Sequence, residues 1–136
     1  MEYMRYSDMY KAIVSPHAPG AIGPYVQGVD LGNLVITSGQ IPIDPISGNI
    51  EEDVSLQTYQ VLNNIQAIIL AAGLQVRHIV KTTIFIKNLN DFSIINTAYA
   101  SFFLKNKASF PARSCVEVAR LPKDVKIEME AIAIRY

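Results

Sequence analysis

An arginine and two glutamates near the carboxyl terminus are the residues best equipped for chemistry. Arg113, Cys115 and Glu117 alternate with Ser114, Val116 and Val118. Further on, Lys126, Glu128 and Glu130 alternate with Val125, Ile127 and Met129. Alternation of period two places each set on one face of a strand. The guanidinium of Arg113 is a planar fork of donors that fits a carboxylate, each charge-assisted hydrogen bond contributing about 1.5–3 kcal/mol net. On residue type alone, a structural ion pair is the favoured reading of such an arginine. Glu128 is open to two readings as well: a general acid/base or water-orienting group, or a solvated carboxylate beside Lys126. Glu130 reads as structural.

Other reactive residue types point away from familiar sites. Cys115 suggests a nucleophile, yet neither histidine lies in a Cys–His signature, and a free cysteine is most often a packed, inert thiol. His17, in a proline-rich loop, and His78, beside Arg77, read as solvent-exposed. One Cys and two His do not supply the usual ligand set of a structural zinc site, and one Cys closes no intramolecular disulfide. Gly20, Gly23, Gly28, Gly32 and Gly39 form neither a GxGxxG fingerprint nor a P-loop.

Composition narrows the classes further. The 136 residues carry 12 basic and 12 acidic side chains, a formal net charge of zero. Nucleic acid therefore finds no basic footprint as a partner. The longest clean apolar stretch, residues 67–72 extended past Gly73 to Leu74, is far below the roughly 18 residues of a membrane span. Glu2, Arg5, Asp8 and Lys11 interrupt the amino terminus, which does not resemble a signal peptide, so a cytoplasmic home is expected. Half of the residues are hydrophobic and 18% charged. That is rich for a short chain, whose surface needs much polar cover. Either the core is dense or apolar surface is buried against copies of the chain.

The elements that must position these residues emerge from punctuation and period. Residues 15–24 and 44–48 are turn-rich loops, and Pro111 and Pro122 mark further breaks. Residues 34–40 alternate as a strand with Leu34, Ile36, Ser38 and Gln40 on one face. Asp53 can cap a helix with Val61, Leu62, Ile65, Ile69 and Ala72 at helical spacing, closed by Gly73. Residues 79–87 are a β-branched strand. Asp91 can cap a second helix with Phe92, Ile95, Tyr99 and Phe102 inside. Residues 113–119 and 125–135 are the final strands. With residues 11–14 and 25–31 as strands, the order is β-β-β-α-β-α-β-β, an α+β layer with two helices on one face of a mixed or antiparallel sheet. In the last strand Val125, Ile127, Met129, Ala131 and Ala133 must meet the helices. The opposite face begins charged, with Lys126, Glu128 and Glu130, and ends apolar, with Ile132 and Ile134. Such a face suits a sheet that packs on another subunit and leaves a polar pocket at its rim.

The run FPARSCVEVARLPKDVKIEMEAIA (residues 110–133) resembles the signature of the RidA (YjgF, reactive intermediate/imine deaminase) family. The resemblance continues through IGPYVQGVDLGN (22–33), TSGQIP (37–42), AAGL (71–74) and IVKTTIFIKNLNDF (79–92). It covers the chain from Lys11 onward, leaving 1–10 as an extension of no assigned role before a single domain at 11–136. It implies a chorismate-mutase-like α+β fold and a homotrimer whose sheets form a central barrel, with active sites in clefts between subunits. It also implies hydrolysis of 2-iminobutanoate, 2-iminopropanoate and their enamine tautomers to 2-oxo acids and ammonia, without metal or cofactor. Pyridoxal-phosphate-dependent dehydratases acting on serine or threonine release those intermediates, and their removal protects pyridoxal-phosphate enzymes from damage.

Carried over motif by motif, the resemblance makes Arg113 in PARSC the ligand of the substrate carboxylate. Glu128 in KIEME positions or activates the attacking water. Tyr25 in GPYVQG, Ser38 in TSGQ and Asn96 in the second helix line the pocket. Cys115 contributes more through its backbone than its thiol. Some subgroups of the family lack the site arginine, and Arg113 places this chain with those that have it. Two competing classes are an RNA-directed translation inhibitor or endoribonuclease, against which the balanced charge weighs, and a non-catalytic trimer that binds small carboxylates or acts as a chaperone-like partner.

Overall fold

The β-branched run of residues 79–86 and the apolar-alternating run of residues 127–134 form the two longest strands, and the rest of the sheet is built around them. The computed structural model describes residues 10–136; the extension assigned to 1–10 lies, but for Tyr10, outside the described residues. In chain order the elements are β1 (Lys11–Ile13), β2 (Gly28–Asp30), β3 (Leu34–Thr37), α1 (Val54–Ala71), β4 (Ile79–Ile86), α2 (Phe92–Lys105), β5 (Ala112–Glu117) and β6 (Ile127–Ile134). The expected order of strands and helices is the observed one.

These strands form one six-stranded sheet of order β1-β2-β3-β6-β4-β5. Every neighbouring pair is antiparallel except β4 and β5, which run parallel. β4 and β5 can be parallel because α2 carries the chain back between them. Ile127, Met129, Ala131 and Ala133 of β6 are buried in one cluster with Ile65 and Ile69 of α1 and Ile95 and Phe103 of α2. Both helices therefore cover one face of a mixed sheet. Val125, at the start of the same expected face, is buried instead in a smaller cluster with Ile41 and Leu121.

Helix α1 forms as its sequence dictates. The Asp53 side chain accepts a hydrogen bond from Leu56 N at 2.9 Å, satisfying an amide of the first turn. At the other end Gly73 adopts φ 82°, and Leu74 N donates to Ile69 O at 3.0 Å in a Schellman closure. Helix α2 departs from expectation at its start. Asp91 does not cap it: a 3-10 turn at Leu89–Asp91 already holds Asp91 in a helical conformation, and its side chain makes no capping bond. Asn88 caps that turn instead, accepting from Asn90 N at 2.9 Å. Phe92 is exposed, not inside, whereas Phe103 is wholly buried.

Two strands are shorter than their alternation suggests. β2 begins at Gly28 because Gln27 is committed to the preceding loop. Its Nε2 donates to the carbonyls of Ser15, Ala18 and Pro19, and its Oε1 accepts from Ser15 N. β3 stops at Thr37. Pairing with β6 passes from Ile36 opposite Ile132 to an isolated bridge of Gln40 with Met129, four residues on one strand against three on the other. The extra residue is a β-bulge, and it reverses the facing of the residues beyond it. Gln40 is therefore buried beside Met129 and does not share a face with Ile36 and Ser38.

Candidate active site

The bulge builds one half of the site. Glu128 stands opposite Phe85 of β4, on the sheet face turned away from the helices, while its neighbours Ile127 and Met129 are core. On the other side of β6, Thr37 stays tied to the sheet by accepting Ala131 N on its Oγ1 at 3.0 Å. The next two residues are displaced toward Glu128. Ser38 Oγ donates to Val26 O at 2.6 Å, anchoring the strand to the loop that carries Tyr25. Tyr25 in turn folds back, its hydroxyl accepting Ile22 N at 3.2 Å. Ile22, Tyr25, Ser38, Gly39, Ile41, Pro122 and Glu128 enclose a cavity of about 370 Å³.

Glu128 is the charged group of this cavity. Burial raises its carboxyl above the ordinary glutamate range, and repulsion from Glu130, two residues along the same strand, adds to the shift. Among the described residues none donates a hydrogen bond to it. A carboxyl with this environment can hold and release a proton closer to neutrality than a solvated one.

Arg113 builds the other half, on β5. It stands opposite Thr82 of β4, whose partner on the far side is Ala131, so its face is the helix face. The guanidinium carbon lies 5.0 Å from the centroid of the Tyr99 ring and 5.4 Å from that of Phe92, both on α2. Tyr99 is fixed by a 2.7 Å hydrogen bond between its hydroxyl and Thr82 Oγ1. Ion pairs among the described residues join Arg120 to Asp124 and Arg135 to Asp30, and Arg113 is in neither. The structural ion pair, the favoured reading on residue type, does not form among the described residues. The charge rests on two aromatic faces and lines a cavity of about 310 Å³ with Asn96, Tyr99, Ala100, Phe110 and Pro111. Asn96 Oδ1 is buried there without a hydrogen-bond partner among the described residues.

The remaining candidates fall around these halves. Cys115 is half-buried against the core beside Arg113. Burial raises its thiol above the usual value, partly opposed by the Arg113 charge, which fits a packed thiol and not an activated one. His17 is exposed as expected, but His78 is buried. Its Nδ1 accepts Gln75 N at 2.9 Å, closing the 3-10 turn Val76–His78, and its ring packs 4.8 Å from that of Tyr136. Among the described residues, no three His, Cys, Asp or Glu side chains converge.

One chain thus gathers Tyr25, Ser38 and Glu128 in one cavity and Asn96 and Arg113 in another. It does not bring the two groups together. Gly39 and the Phe92–Tyr99 platform are the parts that sequence reasoning missed. The aromatic pair is legible only as core spacing, and Gly39 only as a glycine outside any nucleotide motif.

The family model described as Endoribonuclease L-PSP matches residues 15–135. The chain belongs to this family, the RidA family. A curated relative from Salmonella typhimurium, named 2-iminobutanoate/2-iminopropanoate deaminase, is 65% identical over 93% of this chain and 99% of its own. The relative of the same name from Escherichia coli strain K12 is 63% identical over the same shares. Among solved structures, the E. coli YjgF gene product superposes with TM-score 0.92 at 62% identity, covering 93% of this chain and 99% of that one. E. coli TdcF with bound serine gives TM-score 0.92 at 59% identity, with the same coverage. The RidA resemblance read from residues 110–133 is the family found. This RidA chain keeps the arginine and glutamate of its motifs in the two cavities described.

Proposed function

We propose that the chain is a deaminase of small 2-imino acids. It hydrolyses 2-iminobutanoate and 2-iminopropanoate, together with their enamine tautomers, to 2-oxo acids and ammonia. The observation that carries this reading is the Arg113 guanidinium, which lacks a carboxylate partner among the described residues and lines a cavity. A small α-carboxylate supplies the missing anion. The names of the curated relatives support the choice of imino acids among such carboxylates.

The site is shared between copies. Arg113 and Glu128 lie on opposite faces of one sheet, so a molecule of a few atoms cannot touch both within one chain. The face that carries Glu128 also carries half-exposed Ile36 and Ile132 and exposed Val116 and Ile134, apolar surface that a second copy can cover. A homotrimer with chorismate-mutase-like packing, sheets inward as a barrel and helices outward, joins the Arg113 of one copy to the Glu128 of the next. Residues 11–136 form the single domain of each copy, with 1–10 as its extension. The cytoplasm is the compartment that fits, where the enzyme clears intermediates of pyridoxal-phosphate dehydratases before they damage such enzymes.

The chemistry rests on the two groups. Arg113 neutralises the carboxylate and fixes C2 of the substrate, which lowers the entropic part of the barrier. Tyr25, Ser38 and Asn96 line the pocket, and Cys115 contributes through its backbone. Water adds to the electrophilic iminium carbon, and Glu128 takes the proton that the water loses. Glu128 returns that proton to nitrogen, the carbinolamine C–N bond breaks to release ammonia, and the hydroxyl gives up its own proton to Glu128 as its C=O forms, leaving the 2-oxo acid. Proton transfer by a placed carboxyl typically contributes about 10²–10⁴-fold. The test generates 2-iminobutanoate in situ with threonine dehydratase and follows its loss. Wild-type protein speeds the loss above the spontaneous rate and Arg113→Ala does not; wild-type protein at the spontaneous rate contradicts the proposal.

A further inference from the structure

We infer that Gly39 is a positioning residue for the proposed reaction: the side chain it lacks leaves the space in which the Glu128 carboxylate is seated. The role in turnover rests on the deaminase reading; the seating does not. A Cβ placed at position 39 would overlap Glu128 Oε2 and lie 3.1 Å from its Cδ and 3.4 Å from its Cγ. No backbone requirement explains the glycine. The glycines with positive φ are Gly32, Gly48 and Gly73, and Gly39 is not among them. Its conformation is open to any residue, so the excluded side chain is a matter of space beside Glu128.

The bulge makes this contact. Without the extra residue between Ile36 and Gln40, position 39 would continue the β3 ladder instead of leaning over β6. Within one copy, the described residues give Glu128 no other tether. On β6, Glu130 repels it, and Lys126 is occupied at the Glu52 carbonyl. β4 presents Phe85 and Thr83, opposite Glu128 and Glu130, and the Lys81 amine is bonded to Ser114 Oγ of β5 at 2.8 Å. From the β3 side come Tyr25 and the Ser38 hydroxyl, which is spent on Val26 O. Steric fit under Gly39 therefore sets where the proton-carrying oxygen lies. The group that a methyl would displace is the tip of a flexible side chain, so Gly39→Ala keeps the fold and moves the carboxylate.

Two measurements test this. The first is a double-mutant cycle with Glu128→Gln in the imine assay. Gly39→Ala lowers kcat by about 10²-fold, the cost of misplacing a reacting group by roughly 1 Å, with KM little changed. In the Glu128→Gln background the same substitution lowers kcat no further. Equal losses in both backgrounds, or a folded Gly39→Ala protein with wild-type kcat, overturn the inference. The second is a titration of the Glu128 carboxyl carbon by NMR, which needs no substrate. Gly39→Ala moves the midpoint down toward the ordinary glutamate range, because the carboxyl is pushed out of its half-buried seat. An unchanged midpoint overturns the seating. A wild-type protein inactive on imino acids sinks the deaminase reading and the role in turnover, while the titration still decides the contact.

Discussion

Arg113 and Glu128 occupy opposite faces of the same sheet, with β4 as the reference between them. Arg113 pairs with Thr82 and leans on Tyr99 beneath the helices, whereas Glu128 pairs with Phe85 on the uncovered face. Neither half contains what hydrolysis of an imino acid needs. One holds an anion-binding fork without a proton carrier, the other a proton carrier without an anion-binding fork. In the proposed trimer, joining them across a subunit boundary would turn two incomplete cavities into one site and would cover the apolar residues of the Glu128 face.

The fork geometry of Arg113 is separable from its charge. Arg113→Lys keeps the charge but loses the planar pair of donors, so KM for 2-iminobutanoate rises roughly tenfold to hundredfold, equivalent to one charge-assisted hydrogen bond of about 1.5–3 kcal/mol. Phe92→Leu removes one face of the aromatic platform and raises KM only about two- to fivefold, as a cation–π contact of about 0.5–1 kcal/mol allows. Steady-state kinetics with threonine dehydratase as the imine source compares the two. A larger effect from Phe92→Leu than from Arg113→Lys contradicts the assignment.

The pH dependence is set by the environment of Glu128. Burial first and Glu130 second raise its folded-state carboxyl above the value in the unfolded chain. In the proposed mechanism Glu128 is the base in water attack and must be ionised, so kcat falls as pH drops through that raised value, above the ordinary glutamate range. Glu130→Gln removes one cause and moves the acid limb of the kcat profile to lower pH; a limb that stays in place contradicts the coupling. Stability runs the other way. The folded state holds this proton more tightly, so stability falls as pH rises from the ordinary glutamate value through the raised one. Glu128→Gln removes that fall, measured by denaturant midpoints across the same window.

The two aspartates read as helix caps have different weights. Asp53 bonds Leu56 N, so Asp53→Ala lowers stability by about 1 kcal/mol. Asp91 makes no capping bond, and Asp91→Ala leaves the urea midpoint within experimental scatter. Equal losses in the two variants contradict the difference between the helix starts.

These contrasts show what a linear pattern carries. Ile127, Met129, Ala131 and Ala133 are legible as a buried face because one strand meets one core at period two. The α1 helix is legible because cap, apolar stripe and closing glycine agree. Alternation misplaces Gln40 because the bulge inserts a residue into an otherwise regular pattern. Asp91 fails as a cap because the 3-10 turn before it starts the helical conformation early. His78 looks solvent-exposed in its local sequence, but its packing partner Tyr136 lies far along the chain. The site shows the same division. Arg113 and Glu128 can be nominated from type and motif, but their opposite facing depends on β4 lying between β5 and β6. The Tyr99–Phe92 platform depends on a contact between α2 and β5. Both are tertiary facts that no local spacing encodes.

Subunit complementation tests the proposed shared site most directly. Arg113→Ala and Glu128→Gln proteins are prepared separately, mixed in equal amounts, unfolded together and refolded, and assayed for loss of 2-iminobutanoate. Each parent alone keeps about a hundredth of the wild-type rate or less. Random reassembly pairs an intact Arg113 with an intact Glu128 from a neighbouring copy in roughly a quarter of the sites, so the mixture recovers roughly a quarter of wild-type activity. A mixture as inactive as its parents contradicts a site built from two chains.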